Sequence, residues 1–126
     1  MGLTYANITL SNPRDQSLSP ITVRALVDTG ALYLCLPEHI ATQLKLEKLI
    51  DREVTLANNS TYSLPYVGPI ELRFENRASF VGAMVLGDEV LLGAIPMEDL
   101  DVVVNPLLQT LTVNPANPNM ACGKVK

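Results

Sequence analysis

The chain has 126 residues, of which 48% are hydrophobic, and a mean hydropathy of +0.22. This length suits one domain, and the apolar content supplies a core with apolar surface left over for a partner chain. The formal net charge is −4, and the 9 Lys and Arg residues form no cluster. A phosphate-binding surface, and with it nucleic acid as a partner, is therefore excluded.

Targeting and redox features predict a soluble, cytoplasmic protein without a membrane partner. The apolar runs are far shorter than the roughly 20 residues that span a bilayer, and the first residues contain neither a charged start nor a long apolar stretch. Two cysteines, Cys35 and Cys122, are too few for a disulfide framework, and a single histidine leaves no Cys/His cluster. We therefore expect free thiols in a reducing compartment, no cofactor and no metal.

Strand signals dominate the chain, because short runs of Val, Ile, Leu and Thr alternate with clusters of Asn, Pro, Gly and Asp. Apolar and polar residues alternate from Ile21 until the pattern becomes apolar on both sides at Leu26, so this strand runs from a half-buried edge into the core. In chain order, the other predicted strands cover residues 4–10, 32–36, 52–56, 63–67, 70–74, 79–86 and 108–113.

Helix signals are few. Pro37 suits a first helical turn, and apolar residues recur every four positions around it, which predicts one amphipathic helix over residues 37–44. Pro96 opens a shorter predicted helix that ends at Leu100.

The end of the chain differs in composition from the rest. Asn-Pro pairs at 114–115 and 117–118 and a basic end predict a loose extension. We therefore expect one domain over residues 1–114 and a C-terminal extension over residues 115–126.

Asp28 is the residue that most requires an explanation. It directly follows the apolar residues 25–27, and a charge there costs free energy to bury. Thr29 and Gly30 add a hydroxyl and a backbone that can turn tightly. The tripeptide alone leaves open an ordinary turn in which Asp28 caps backbone amides. The apolar flanks, and the Leu-Leu-Gly sequence at 91–93, favour a functional site instead.

Together these two motifs resemble those of the retropepsin-like aspartic proteases. The family pattern is two apolar residues, Asp-Ser/Thr-Gly-Ala/Ser, and later two apolar residues followed by glycine and a helix. Leu26-Val27-Asp28-Thr29-Gly30-Ala31 matches the first motif and Leu91-Leu92-Gly93 the second, over roughly residues 20–113. The resemblance implies an all-β, single-domain acid protease fold of closed, barrel-like sheets with one or two short helices.

The region between the motifs shows how this chain departs from the viral members. Residues 53–67 fall where the family has its flap hairpin, with Asn58-Asn59-Ser60 as the turn. Viral members have a glycine-rich flap and an Arg or similar residue after the second glycine, where this chain has polar flap residues and Ala94. The chain is therefore more similar to non-viral, bacterial-type single-domain members.

The resemblance also assigns roles to individual residues. Asp28 would be catalytic, and Thr29, Gly30 and Ala31 would form the active-site loop. The residues implied for substrate binding and the flap are Leu26, Ala57, Asn58, Asn59, Ser60, Leu92 and Gly93.

Acid–base hydrolysis of an amide needs one ionised carboxylate to activate water and one protonated carboxyl to donate to the carbonyl oxygen. A single Asp cannot do both, and the chain contains one Asp-Thr-Gly. A two-fold axis through the site would bring Asp28 beside its own copy, and such a close pair shares one proton, as aspartic-protease dyads do. The expected protein is thus a homodimeric aspartic endopeptidase acting on peptides or proteins.

The resemblance also implies how two such subunits would meet. Thr29 would form a hydrogen bond across the axis, and the strands at 4–10 and 108–113 would pair between subunits rather than remain exposed sheet edges. A different class of function stays open beside this one. It is a catalytically silent dimer of the same fold that binds proteins or peptides.

Other reactive residues have simpler interpretations. His39 is expected to face solvent on the first helix, and Cys35 lies in a predicted core strand, where a buried thiol is inert. Acidic residues at 88–89 and 98–101 suit turns and helix starts, so no metal site is predicted there.

Overall fold

The computed structural model describes residues 2–125, and far more of them form strands than helices. The elements are β1 Tyr5–Ser11, β2 Ile21–Val27, β3 Leu34–Leu36, α1 Glu38–Gln43, β4 Glu47–Thr55, β5 Thr61–Phe74, β6 Arg77–Val85, β7 Val90–Leu92, α2 Ala94–Leu100, β8 Val102–Asn105 and β9 Thr110–Val113. Seven strands form one sheet in the order β1-β2-β7-β3-β6-β5-β4, while β8 and β9 form a second.

An additional pairing of β1 with β5 closes the large sheet into a six-stranded barrel and leaves β4 outside it. Strand alternation directs one face inward, as at Ile8 and Leu10 of β1 and Ile70 and Leu72 of β5, all fully buried. Burial of each such side chain contributes roughly 1.5–3 kcal/mol. The predicted all-β, barrel-like fold with two short helices is confirmed.

The two helices cover the core rather than form it. α1 lies within the predicted range, with Pro37 and Leu44 as its caps and Ile40 buried. α2 begins at Ala94, two residues before the predicted start, because the Gly93 carbonyl accepts the first helical hydrogen bond from the Met97 amide at 3.3 Å. Neither helix is long or apolar enough to span a lipid bilayer.

The two strands predicted at 63–67 and 70–74 are one strand, β5. Gly68 and Pro69 indicate a break in the sequence, but the pairing of β5 with β6 shifts register between Val67 and Ile70, where these two residues lie. The missing proline amide falls in this irregularity, so the strand loses no regular ladder bond there. The prediction of two strands is therefore wrong.

Other strands also differ from prediction, and three of them show why. β3 begins at Leu34 rather than 32, because the Ala31 and Leu32 carbonyls accept hydrogen bonds from the amides that open α2. β4 begins at Glu47, five residues before the predicted start, and pairs along β5 with a bulge. β8 was not predicted, and its pairing with β9 forms a separate hairpin.

The segment after residue 114, predicted as an extension, forms hydrogen bonds with the domain. The Asp101 carboxylate accepts hydrogen bonds from the side chains of Asn114 and Asn117 and from the Cys122 amide. Arg77, whose side chain is fully buried, donates from Nη2 to the Asn117 carbonyl at 2.5 Å. These contacts explain why a segment rich in Asn and Pro is ordered: its polar groups have buried partners.

The strands predicted to pair between subunits have partners in their own chain. β1 pairs with β2 over Tyr5–Leu10 and with β5 over Thr9–Ser11, and β9 pairs with β8. The sequence suggested that β1 is an exposed sheet edge. Its second half is not, because strands pair with it on both sides.

Candidate active site

Asp28 follows the end of β2, beside the end of the parallel strand β7. The register aligns Leu26 with Leu91 and Val27 with Leu92. The Asp28 amide then donates to the Leu92 carbonyl at 3.0 Å, which fixes the loop to the second motif. The two motifs that were separate in the sequence are thus joined at the first residue of the loop.

The Asp28 side chain is half-buried, and its two oxygens have different surroundings. Oδ1 accepts a hydrogen bond from the Gly30 amide at 2.9 Å. Within residues 2–125, Oδ2 has no hydrogen-bond partner, so it is available to a ligand. Asp28 therefore caps a backbone amide of the turn through one of its two oxygens only. A Cβ on residue 30 would lie 3.2 Å from Oδ1, so glycine there leaves the carboxylate unobstructed.

Gly93 allows the second motif to pack against the Asp28 loop. The amides of Ala94 and Ile95 donate to the carbonyls of Ala31 and Leu32 at 2.8 and 3.0 Å. A Cβ on residue 93 would lie 2.8 Å from the Ala31 carbonyl oxygen and closer still to that of Tyr33. Only glycine fits this close approach of backbones.

A cleft of about 470 Å³ opens beside Asp28, below the β4–β5 hairpin. It is lined by Asp28, Gly30, Ala31, Leu32, Tyr33, Cys35, Glu53, Val54, Thr55, Leu56, Ala57, Met84, Leu86 and Leu91. Most of these side chains are apolar, which suits a cleft that takes apolar side chains of a ligand. β4 is the last strand of the large sheet, so its outer backbone edge is free for a further strand.

The predicted flap hairpin is present, and its turn is tightly bonded. The Leu56 amide donates to the Ser60 carbonyl and the Asn59 amide to the Leu56 carbonyl, both at 2.9 Å. Asn59 has a φ of 66°, a left-handed conformation that Asn tolerates better than most residues, and Asn58 Oδ1 accepts from the Ser60 amide. The polar residues thus replace glycine in forming the turn.

Not every predicted site residue faces the cleft. Gly30, Ala31 and Ala57 line it, whereas the turn residues Asn58, Asn59 and Ser60 lie beyond its lining. Thr29 is exposed, and its hydroxyl forms no hydrogen bond within residues 2–125.

Leu92 is fully buried in the core, so it cannot line a substrate pocket, and its neighbour Leu91 does so instead. Leu26 is half-buried beside Leu91 and does not line the cleft. Strand alternation explains the difference, since consecutive residues of β7 face opposite sides of the sheet.

Glu53, Val54, Thr55 and Leu56 line the cleft within the hairpin predicted at residues 53–67. The cleft residues that were not identified from the sequence are Leu32, Tyr33, Cys35, Met84, Leu86 and Leu91. The period of two in β7 could have indicated Leu91 once Leu92 was assigned to the core. Met84 depends on the parallel pairing of β3 with β6, which aligns it with Cys35 and which no local pattern encodes.

Cys35 is 6% exposed, which confirms its predicted core position. Burial, and secondarily the negative charge of Asp28, raises the pKa of the Cys35 thiol. The thiol is therefore protonated and inert near neutral pH. His39 is exposed on α1, as predicted, and residues 2–125 contain no cluster of three His, Cys, Asp or Glu side chains that could hold a metal.

An aromatic cluster supports the base of the hairpin. Tyr33 and Tyr66 meet edge to face with ring centroids 6.1 Å apart. Arg52 of β4 donates from Nη1 to the Tyr33 hydroxyl at 2.9 Å, and its guanidinium lies 4.2 Å from the centre of the Tyr66 ring. These contacts fix the strand that carries the flap to the wall of the cleft.

Comparison with known proteins agrees with this architecture at the level of the fold. No protein-family model and no curated protein sequence matches the chain. In structure it is similar to EIAV protease complexed with the inhibitor HBY-793, with a TM-score of 0.64, 16% identity, and coverage of 82% of this chain and 93% of that one. It is also similar to the retroviral protease-like domain of Ddi1 from Leishmania major, with a TM-score of 0.56, 11% identity, and coverage of 90% and 91%. The chain therefore has the retropepsin-like fold.

Proposed function

We propose that the chain is one subunit of a homodimeric aspartic endopeptidase and that Asp28 is its catalytic residue. The observation that carries this proposal is the position of the Asp28 carboxylate. It has one free oxygen at the floor of an apolar cleft, and a flap-like hairpin with a free strand edge lies above it.

The mechanism follows from pairing two such carboxylates. One Asp28, ionised, accepts a proton from water as the water attacks the scissile carbonyl, and the other, protonated, donates to the carbonyl oxygen. Two carboxylates in close contact share one proton, so we expect activity to be greatest at mildly acidic pH. The free edge of β4 would hold the substrate as an extended strand by backbone hydrogen bonds.

A second copy is needed because one chain supplies one Asp28. Exposed apolar side chains near the start of β1 and in the β8–β9 turn would meet that copy. The Val27 amide donates to the Thr4 carbonyl at 2.8 Å, and Gly2 lies against the Gln109 side chain. Beyond Gln109, the β8–β9 turn presents Leu107 and Leu108, 88% and 67% exposed. We define Leu3, Leu107 and Leu108 as the dimer patch.

The test of the proposed function is cleavage of a diverse peptide library near pH 5, with wild type beside Asp28→Asn. We expect the dimeric wild type to cleave and the variant to lose about 10²–10⁴-fold in rate, because it removes the acid–base pair. Asp88→Asn, in an exposed turn, is the matched control. A dimer that binds peptides but never cleaves them would instead support the catalytically silent binding module, which the tightly bonded flap turn favours.

Two finer assignments belong to the same proposal. The turn at Asn58 and Asn59, which lacks glycine, supports a non-viral relationship of the bacterial type. The free thiols Cys35 and Cys122 support a cytoplasmic location, since free thiols are typical of reducing compartments.

A further inference from the structure

The charged residues of the cleft all have the same sign. Of the residues that line the cleft, Asp28 and Glu53 are the charged ones, and both are acidic. Asp28 lies at the floor, whereas Glu53 lies on β4, the strand that carries the flap. A two-fold dimer would double this arrangement and place one Glu53 on each side of the Asp28 pair.

Glu53 differs from the other acidic residues of its strand. Glu47 pairs with Arg14 at 3.4 Å, and Asp51 pairs with Lys48 at 2.9 Å. Glu53 has neither an ion-pair partner nor a side-chain hydrogen bond within residues 2–125. Its charge is therefore available to a ligand that enters the cleft.

The nearest cation in the sequence does not neutralise Glu53. Arg52 precedes it, but Arg52 is not among the residues that line the cleft. The Arg52 guanidinium is held at the Tyr33 hydroxyl and over the Tyr66 ring. The aromatic cluster thus holds this positive charge outside the lining of the cleft.

From this geometry we infer that Glu53 determines substrate specificity and makes the enzyme prefer peptides that carry Lys or Arg beside large apolar residues. The inference rests on the proposed function and specifies its substrate class. The apolar lining, which includes Met84, Leu86 and Leu91, takes the apolar side chains. The flap carboxylate then pairs with a basic side chain, and the two-fold axis provides two such subsites around the scissile bond.

The expected size of the preference for a basic side chain follows from the exposure of Glu53. Exposed ion pairs contribute about 0.2–1 kcal/mol, which corresponds to roughly a 1.4- to fivefold preference in kcat/KM. Raising the ionic strength from about 0.05 M to 1 M should reduce the preference, since exposed charges are screened. An apolar contribution to specificity would not weaken in this way.

The experiment uses the full chain and octapeptides with a central Leu-Leu bond, in which Lys, Gln or Glu is placed in turn at each of the other positions. Cleavage is measured as kcat/KM, and binding as fluorescence anisotropy of labelled peptides on the Asp28→Asn variant. The protein variants are Glu53→Gln, Glu53→Lys and the control Asp51→Asn. This control changes the net charge of the chain as Glu53→Gln does, but at a residue outside the cleft.

At one or more positions of the peptide, wild type and Asp51→Asn should cleave and bind the Lys peptide better than the Gln peptide, and the Gln peptide better than the Glu peptide. Glu53→Gln should lose this order and Glu53→Lys should reverse it. Wild type that cleaves all three peptides equally, or Glu53→Gln that keeps the preference for Lys, overturns the inference and leaves the proposed function standing. Wild type that neither cleaves nor binds any peptide overturns the proposed function and the inference with it.

Discussion

Two glycines and one carboxylate set the geometry of the candidate site at the scale of single residues. Gly30 donates its amide to Asp28 without crowding the carboxylate, and Gly93 lets two backbone segments meet. Neither glycine has the left-handed φ that usually explains a required glycine. Residue 93 must be glycine because other backbone segments pack closely against it. This requirement can be recognised only once the positions of the neighbouring carbonyls are known.

Gly93→Ala should destabilise the protein by about 2 kcal/mol or more, because the added methyl group would overlap the Tyr33 and Ala31 carbonyl oxygens. Urea denaturation measures the loss in free energy of unfolding. Gly123→Ala is the control, since nothing lies within 4 Å of a Cβ there, and it should stay within about 0.5 kcal/mol of wild type. Equal stability of the two variants would contradict this account of Gly93.

Asp101 should make stability depend on pH. Hydrogen bonds from Asn114, the Cys122 amide and Asn117 lower the pKa of Asp101 below the usual Asp range. The native state therefore gains stability from the ionised group above its unfolded pKa, and loses it as the pH falls through the lowered native pKa. The melting temperature of Asp101→Asn should lie below that of wild type at pH 7, and the gap should narrow towards pH 3. Asp88→Asn is the control. A difference in melting temperature between wild type and Asp101→Asn that does not change with pH would contradict the role of the Asp101 charge.

The C-terminal segment acts as a structural element although its described residues, 115–125, form no helix or strand. It supplies a carbonyl to the buried Arg77 and two donors to Asp101, and Asn76 of the β5–β6 turn donates to the Pro118 carbonyl at 2.9 Å. Within residues 2–125, Nε and Nη1 of Arg77 have no hydrogen-bond partner. Its remaining contacts therefore matter more, because a buried cation with fewer partners is costly.

Deleting residues 115–126 should lower the free energy of unfolding by about 2 kcal/mol or more, because Arg77 loses its Asn117 partner in the interior. Chemical denaturation measures the change. Deleting only residues 124–126 is the matched control and should have little effect, because it leaves the hydrogen bonds of Asn117 and the Cys122 amide in place. A stable, fully folded protein after the longer deletion would show that the segment is an independent extension.

At the scale of the whole molecule, the barrel closes within one chain while the proposed site needs two. The apolar residues of the dimer patch are exposed. We expect the proposed dimer to form through this patch.

Leu107→Ser combined with Leu108→Ser should weaken the dimer at least about tenfold without unfolding the subunit, because both side chains are exposed and their burial depends on the partner. Analytical ultracentrifugation measures the dissociation constant, and peptide cleavage should fall with the dimer fraction. Met120→Ser, at a residue 68% exposed on the C-terminal segment, is the control. An unchanged dimer would place the interface elsewhere.

Local chemistry made much of this protein predictable from its sequence. Alternating apolar residues indicate the strands, Pro37 indicates the start of α1, and the Asn-rich turn at 58–60 indicates the hairpin. The Asp-Thr-Gly and Leu-Leu-Gly motifs indicate the site and the fold, because each carries its chemistry within a few adjacent residues. These features depend on backbone preferences and side-chain period, which act over short stretches of chain.

Only the tertiary structure decided which residues meet. The choice of Leu91 over Leu92 for the cleft, the course of β5 through Gly68 and Pro69, and the docking of the C-terminal segment on Asp101 all depend on pairing between distant segments. A shift of one residue in register reverses the faces of a whole strand, and hydrogen-bond partners far away in sequence leave no local pattern. The sequence thus determined the elements and the reactive group, and the packing of the barrel determined its surroundings.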